Sequence, residues 1–426
     1  MQLLNKEVEE SSQVNAPAFA EAVKETDGTS GAPITSVWTG QSDTTPTTWS
    51  RMHSAATASA IHEDHIDSLS DLDAHCDGQD SVEEGLTELH IEDAACPRDP
   101  DDAGLPFIDE RRFQFERVLT NAPRCGGQIE LHWDRERETT VAIKRVPFSR
   151  LRGSHKEFRK AFPYEQEDPW QEFGSLRRLG GTGPERLPGV CACYGVYRDF
   201  AGDGLAVSEF LPDGDLFTYA STLPPPGPER EEMVWPIIES VLGTVRHLHA
   251  GGLAHGDVSL ENALIRRCPG GKDLVYLTDF GMAVTGDLAA AQGVRGKPSY
   301  QAPEMHMEVQ YDARLADLFA CGVLAYALAI GNYPWSSTRP APESCQAFAF
   351  AQGHGLEELL ARRRIKVGNA RATVNEVLSP RMRRLLLVLL DFDPPRRLLL
   401  PVDPQDAVPR CSDLRKPPMP EEIWGG

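Results

Sequence analysis

The order of apolar patterns along the 426 residues predicts an α+β fold of two lobes, a small β-rich one followed by a larger helical one. Three observations carry this. Strand-like stretches lie before residue 212, and helical periods dominate after residue 233, with Pro224-Pro225-Pro226 between them. Charge separates both lobes from what precedes them. Residues 1–105 hold 22 Asp/Glu and four Lys/Arg, whereas residues 106–426 hold 42 and 39, so a near-neutral body carries an acidic head within the net charge of −21.

Taken in order, residues 1–105 are rich in Ser, Thr, Asp, Glu and Ala and sustain no apolar period. Such a segment buries too little apolar surface to offset its ordering entropy, which predicts disorder. Ile61, Ile66, Leu69 and Leu72 would line at most a transient helix face. Residues 128–133 and 139–146 read as strands around the polar Asp134-Arg135-Glu136-Arg137 turn. Phe173, Leu176 and Leu179 place residues 171–179 on a helix. Residues 205–211 form a further strand, closed by Pro212-Asp213-Gly214-Asp215. A long amphipathic helix spans 233–250 and stops at Gly251-Gly252. The chain then reads as mostly helical to about Leu400, and residues 401–426 are a Pro-rich tail.

The acidic balance disfavours nucleic acid or an anionic membrane as a default partner. Residues 1–11 show neither a basic start nor an apolar run, so no secretory leader is expected. The apolar run 318–330 is short for a bilayer and abuts Asp317, which predicts a buried helix and no membrane span. Nine scattered cysteines, with Cys191 and Cys193 unaccompanied by a second pair, read as free thiols of a reducing cytosol or nucleus; a cytoplasmic or nuclear protein is expected.

Four strings carry the chemistry: Val141-Ala142-Ile143-Lys144, His255-Gly256-Asp257 with Asn262, Asp279-Phe280-Gly281, and Ala302-Pro303-Glu304. An Asp and an Asn five residues apart on a loop, with a second Asp after a short strand, can converge as hard oxygen ligands for Mg²⁺. On these strings the chain resembles the eukaryotic protein kinase family, serine/threonine type, over residues 112–400. The resemblance implies the bilobal kinase-like fold, with a small lobe over about 112–211 and a large lobe over about 212–400. It also implies transfer of phosphate from Mg-ATP to Ser/Thr hydroxyls of protein substrates.

By the same resemblance Lys144 pairs with the α- and β-phosphates of ATP and with a helix glutamate, Glu172, chosen over Glu165, Glu167 and Asp168 for its spacing to Leu176 and Leu179. Asp257 is the catalytic base, and Asn262 and Asp279 are the metal ligands. Gly127 belongs to the phosphate loop. Ile129, Ala142 and Leu264 face adenine, Glu209 to Leu211 is the hinge with Ser208 as gatekeeper, and Asp215 meets the ribose. His255, Phe280 and Leu176 pack together, Asp317 anchors the catalytic loop, and Glu304 pairs with Arg397.

The departures are as informative. The three glycines of the phosphate loop should stand at 122, 124 and 127; the chain has Ala122, Arg124 and Gly127, with an extra Gly126. That weakens phosphate contact or lets Arg124 supply it. The Arg that usually precedes the catalytic Asp is Gly256, so activity is not expected to depend on activation-loop phosphorylation at Thr285 or Ser299. The usual lysine two residues after Asp257 is Ser259, while the neighbouring Thr of the substrate loop is Lys297. Lys297 is expected to restore the missing cation and is counted as catalytic. Tyr300 before Ala-Pro-Glu fits serine/threonine specificity. The alternative is a scaffold without turnover, which the altered glycine loop and Ser259 would suit. The basic stretch 150–160 reads as a solvated loop, or as a site for the acidic head in an intramolecular contact.

Overall fold

The computed structural model describes residues 104–397, apart from 123, 182–185, 269–271, 308 and 341–344. The acidic head up to residue 103 and the Pro-rich tail therefore lie outside the described residues.

Packing starts upstream of residue 112. Leu105 and Ile108 are buried, and Phe107 bridges to Arg198 in parallel. Then come β1 (Phe113–Ala122), β2 (Gly127–Asp134), β3 (Thr139–Val146), α1 (Phe148–Leu151), α2 (His155–Ala161), α3 (Pro169–Leu179), β4 (Cys193–Arg198) and β5 (Gly204–Glu209). The strands form one antiparallel sheet in the order β1-β2-β3-β5-β4. Alternation in β3 buries Val141 and Ile143 with Leu205, Val207, Ile108 and Phe113 on one face. Each such side chain contributes about 1.5–3 kcal/mol by leaving water. The intervening Ala142 and Lys144 consequently share the opposite face. Strands β1 and β4 lack a clean period. β1 shifts register twice between Phe115 and Thr120, and β4 is irregular between Cys193 and Gly195.

Helix α3 starts two residues before the expected 171. Asp168 caps it, accepting from the Trp170 and Gln171 amides at 2.9 and 3.2 Å, and Pro169 takes the first turn, where its missing N–H does no harm.

The large lobe contains α4 (Leu216–Ala220), α5 (Pro228–Ala250), β6 (Leu253–Ala254), β7 (Ala263–Arg266), β8 (Leu274–Leu277), β9 (Val284–Thr285), α6 (Glu304–Met307), α7 (Ala313–Ile330), α8 (Gln346–His354), α9 (Leu356–Arg362), β10 (Arg364–Val367), β11 (Ala370–Thr373), α10 (Val374–Val377) and α11 (Pro380–Leu389). Helix α5 begins five residues earlier than expected, with Pro228 in its first turn. The mostly helical expectation after residue 250 needs correction: β6 pairs with β9, β7 with β8, and β10 with β11. Strands of two to four residues are too short to show a period. Helix α7 is long and apolar enough to cross a membrane, but 89% of it is buried against the rest of the lobe, where it packs on α5 and α11. At its end Gly331 adopts the left-handed conformation that closes a helix. Glu304 and Arg397, 2% and 1% exposed, form a two-pronged ion pair at 2.5 and 2.8 Å.

Candidate active site

Lys144 lies on β3 opposite Ile129 and Ala206. Its ammonium donates to both Glu172 oxygens at 2.8 Å and to Asp279 Oδ1 at 2.9 Å. Burial opposes the ammonium charge, but the fields of Asp279 and Glu172 outweigh it and hold the lysine pKa well above its ordinary value. The two carboxylates sharing that lysine diverge. Burial pushes Glu172 up to about 7 despite Lys144, whereas Lys144 overcomes the burial of Asp279 and draws it down to about 2. Among the acids near the start of α3, Glu172 is thus the partner of Lys144. Glu165 meets Arg150 at 2.6 Å, and Asp168 meets Arg159 at 2.8 Å.

The catalytic loop is held from several sides. Asp317 on α7 accepts from the His255 and Gly256 amides at 2.7 and 2.9 Å and meets His249 Nε2 at 2.9 Å. His255 lies 4.9 Å from the Phe280 ring and reaches the Thr278 carbonyl at 3.1 Å. Tyr300 Oη accepts from the Leu260 amide at 3.2 Å. Asn262 Nδ2 donates to the Asp257 carbonyl at 2.8 Å and to Asp257 Oδ2 at 2.9 Å. Gly256 has a φ of +75°, and a Cβ there would collide with the Met282 carbonyl. Asp279 also adopts a left-handed φ, +66°, a conformation that costs a non-glycine residue about 1–3 kcal/mol and is met at functional sites.

Lys297 lies beside Ser259 and Asp257. Its ammonium donates to Ser259 Oγ at 2.6 Å and lies 3.8 Å from Asp257 Oδ2 and 3.6 Å from Glu261 Oε2. Its amide donates to Asp257 Oδ1 at 3.1 Å.

The residues expected around a nucleotide are brought together in part. Ala142 pairs with Ser208 across β3 and β5, Leu211 and Leu264 share an apolar cluster with Cys191 and Tyr276, and Asp215 bridges to Leu264. The Glu209 amide donates to the Ala192 carbonyl at 2.9 Å, and its carboxylate meets Arg266 and Arg186. Asp215 Oδ1 accepts from Thr218 at 2.7 Å as the cap of α4. Gly127 opens β2 rather than sitting at the tip of the turn, and a Cβ there would collide with the Arg145 carbonyl. Strand packing is therefore the physical reason for that glycine.

Asn262 Oδ1, which accepts from the Lys297 ammonium at 3.4 Å, and the 38%-exposed Asp279 carboxylate, which accepts from Lys144, are oxygens of the kind Mg²⁺ prefers. No group of three or more His, Cys, Asp or Glu gathers into a ready-made metal cage among the described residues.

One side chain expected at the phosphate loop meets a different partner in the cleft, and another reaches it that motif reading did not place there. Arg124, from the β1–β2 turn, donates to Asp257 Oδ2 at 3.0 Å. Glu167 precedes the cap of α3, is 7% exposed, and packs beside Gly281. The signal for Glu167 was the Asp168-Pro169 helix start, which turns the preceding residue inward. Elsewhere, the basic stretch is largely committed. Arg150 and Arg152 lie over the Phe162 ring, and Arg159 holds the Glu165 carbonyl as well as Asp168. The Thr285 hydroxyl accepts from Gln171, and Ser299 Oγ donates to the Ser336 carbonyl.

Comparison with known proteins agrees with this geometry. A family described as "Protein kinase domain" matches residues 126–402. The chain is similar to CBL-interacting protein kinase 25 of Oryza sativa subsp. japonica, 28% identical over 201 residues, covering 46% of this chain and 34% of that relative. It is similar to mitosis inducer protein kinase cdr1 of Schizosaccharomyces pombe, 32% identical over 151 residues, covering 35% and 24%. Serine/threonine-protein kinase ULK3 of Xenopus laevis is 30% identical over 208 residues, covering 47% and 39%. The chain spans less than half the length of these relatives.

Proposed function

Because the chain belongs to the protein kinase family, we propose that it is an active enzyme that transfers the terminal phosphate of ATP to serine or threonine hydroxyls of proteins. Lys144 holds the nucleotide's inner phosphates while Glu172 keeps it in position. Asp257 orients the substrate hydroxyl and takes its proton as the oxygen bonds to the terminal phosphorus and the bond to the leaving ADP oxygen breaks. Asn262 and Asp279 would hold Mg²⁺, which when bound would neutralise charge on the phosphate oxygens. Lys297, beside Asp257, faces the charge that builds up during transfer. Leu264, Leu211, Ala142 and Ile129 supply the apolar faces for adenine.

The observation that carries this reading is the Lys297 ammonium on Ser259. A cation absent from one loop is supplied by its neighbour, next to the base. A scaffold without turnover has no need of that arrangement. The names of the relatives and Tyr300 support hydroxyl specificity for serine and threonine. The free thiols of Cys125, Cys191, Cys193, Cys268, Cys321 and Cys345 support a reducing compartment, cytoplasmic or nuclear. The test is transfer of label from γ-labelled ATP, with Mg²⁺, to a generic basic protein. The wild-type chain should label it, and Asp257→Asn should reduce the rate by at least about a thousandfold. Equal labelling by both would favour the scaffold.

A further inference from the structure

Arg124 stands where the phosphate loop would carry a glycine, and its contact changes what Asp257 can do. Asp257 Oδ2 accepts from Asn262 at 2.9 Å and from Arg124 at 3.0 Å, and Oδ1 accepts from the Lys297 amide at 3.1 Å. A substrate hydroxyl must reach one of those oxygens to hand over its proton. With Arg124 in place, the base is covered and its charge is paired.

Arg124 is also set to move. Its side chain is 43% exposed, while the neighbouring Cys125 is 3% exposed and packs in the core, so the movement is of the side chain and not of the turn. Its charge belongs in this cleft even so. Desolvation works against the guanidinium, yet the Asp257, Glu167 and Asp279 carboxylates raise its pKa. Glu167, buried and with Oε2 unpartnered among the described residues, is a second carboxyl on that side of the cleft, and burial raises its pKa. A guanidinium leaves one carboxylate readily for a phosphate, which offers more charge and accepts two parallel hydrogen bonds.

We propose that Arg124 senses the terminal phosphate: when ATP binds, it exchanges the Asp257 carboxylate for that phosphate, so that one motion adds a cation to the transferring group and uncovers the base. ADP has no such phosphate and leaves Arg124 on Asp257. The free and product-bound states are therefore closed, and the ATP-bound state is open. This inference rests on the kinase reading of the cleft.

The experiment compares the affinities of the full-length chain for a non-hydrolysable ATP analogue and for ADP, both with Mg²⁺, by calorimetry. The wild-type chain should favour the ATP analogue, and Arg124→Ala should cut that preference about tenfold while ADP affinity stays within about twofold. Arg124→Lys should recover part of the preference, because it returns a charge without the planar fork. Thermal unfolding midpoints matching wild type show that the variants fold. An unchanged preference in Arg124→Ala overturns the proposal, and so does tighter analogue binding, which would make Arg124 a simple plug. A wild-type chain that binds neither nucleotide overturns the kinase reading and this inference together. A wild-type chain that binds and transfers phosphate, with the preference unchanged in Arg124→Ala, overturns this inference alone.

Discussion

On the large-lobe side of the cleft, Asp317 grips two backbone amides, Asn262 spans the Asp257 side chain and carbonyl, and Tyr300 takes the Leu260 amide. On the small-lobe side, the β1–β2 turn meets that loop through Arg124, a half-exposed side chain on a single carboxylate oxygen. The base must stand within hydrogen-bond reach of a hydroxyl, and a small displacement costs rate steeply. On the proposed reading, the side chain that covers the base would have to leave it in each turnover. The division of rigidity follows the division of labour.

The strongest way to break this contrast is to loosen the rigid side. Arg397→Leu leaves the Glu304 carboxylate buried and unpaired, and should cost about 3–5 kcal/mol of stability in chemical denaturation. Adding Glu304→Leu should return much of the loss, because well-packed apolar residues can replace a buried ion pair. A loss below about 1 kcal/mol would mean that the pair does not hold the large lobe together.

The next test sharpens the contrast within the rigid side. Lys297→Ala should lower kcat about tenfold or more with little change in nucleotide affinity. The double variant Lys297→Thr with Ser259→Lys should recover it, since the charge then returns from the adjacent position. Failure of that recovery would assign Lys297 to docking rather than to transfer.

The smallest effect lies at the far end of the loose hairpin. Arg112 grips Asp134 at 2.8 and 2.6 Å, tying the start of β1 to the end of β2. Burial pushes the Asp134 carboxyl up, but the Arg112 guanidinium and the Glu136 and Arg137 amides hold it below its ordinary value of 3.8. The folded chain therefore binds this proton less readily than the unfolded chain. Its stabilisation is complete above pH 3.8 and is lost as pH falls below that value. Asp134→Asn should cost about 1–2 kcal/mol at pH 7 and progressively less below pH 4 in denaturation curves. A difference independent of pH would show that the aspartate acts by shape alone.

Some of this molecule is legible in its sequence because certain chemistry leaves few alternatives. A lysine in Val-Ala-Ile-Lys, an Asp and Asn five apart, and a buried Glu needing a cation each restrict what their partners can be. The meeting of Lys297 with Ser259 was readable because both stand in recognisable strings. Other features were hidden for physical reasons. β1 keeps most of its residues exposed, so no alternation marks it, and the paired strands of the large lobe are too short for any period. Pro169 and Pro228 look like breaks in a sequence and are in fact first turns. Glu167 acts through where a helix begins, which spacing does not record.

Gly256 has one further consequence, for the routes by which such an enzyme could change. A side chain there would strike the Met282 carbonyl, and the Arg295 side chain lies 3.5 Å from where its Cβ would sit. An arginine at that position would have to displace the Met282 backbone. Dependence on a phosphorylated loop is thus more than one step away from this sequence, and an attempt to engineer it would have to rebuild residues 282 and 295 together with 256.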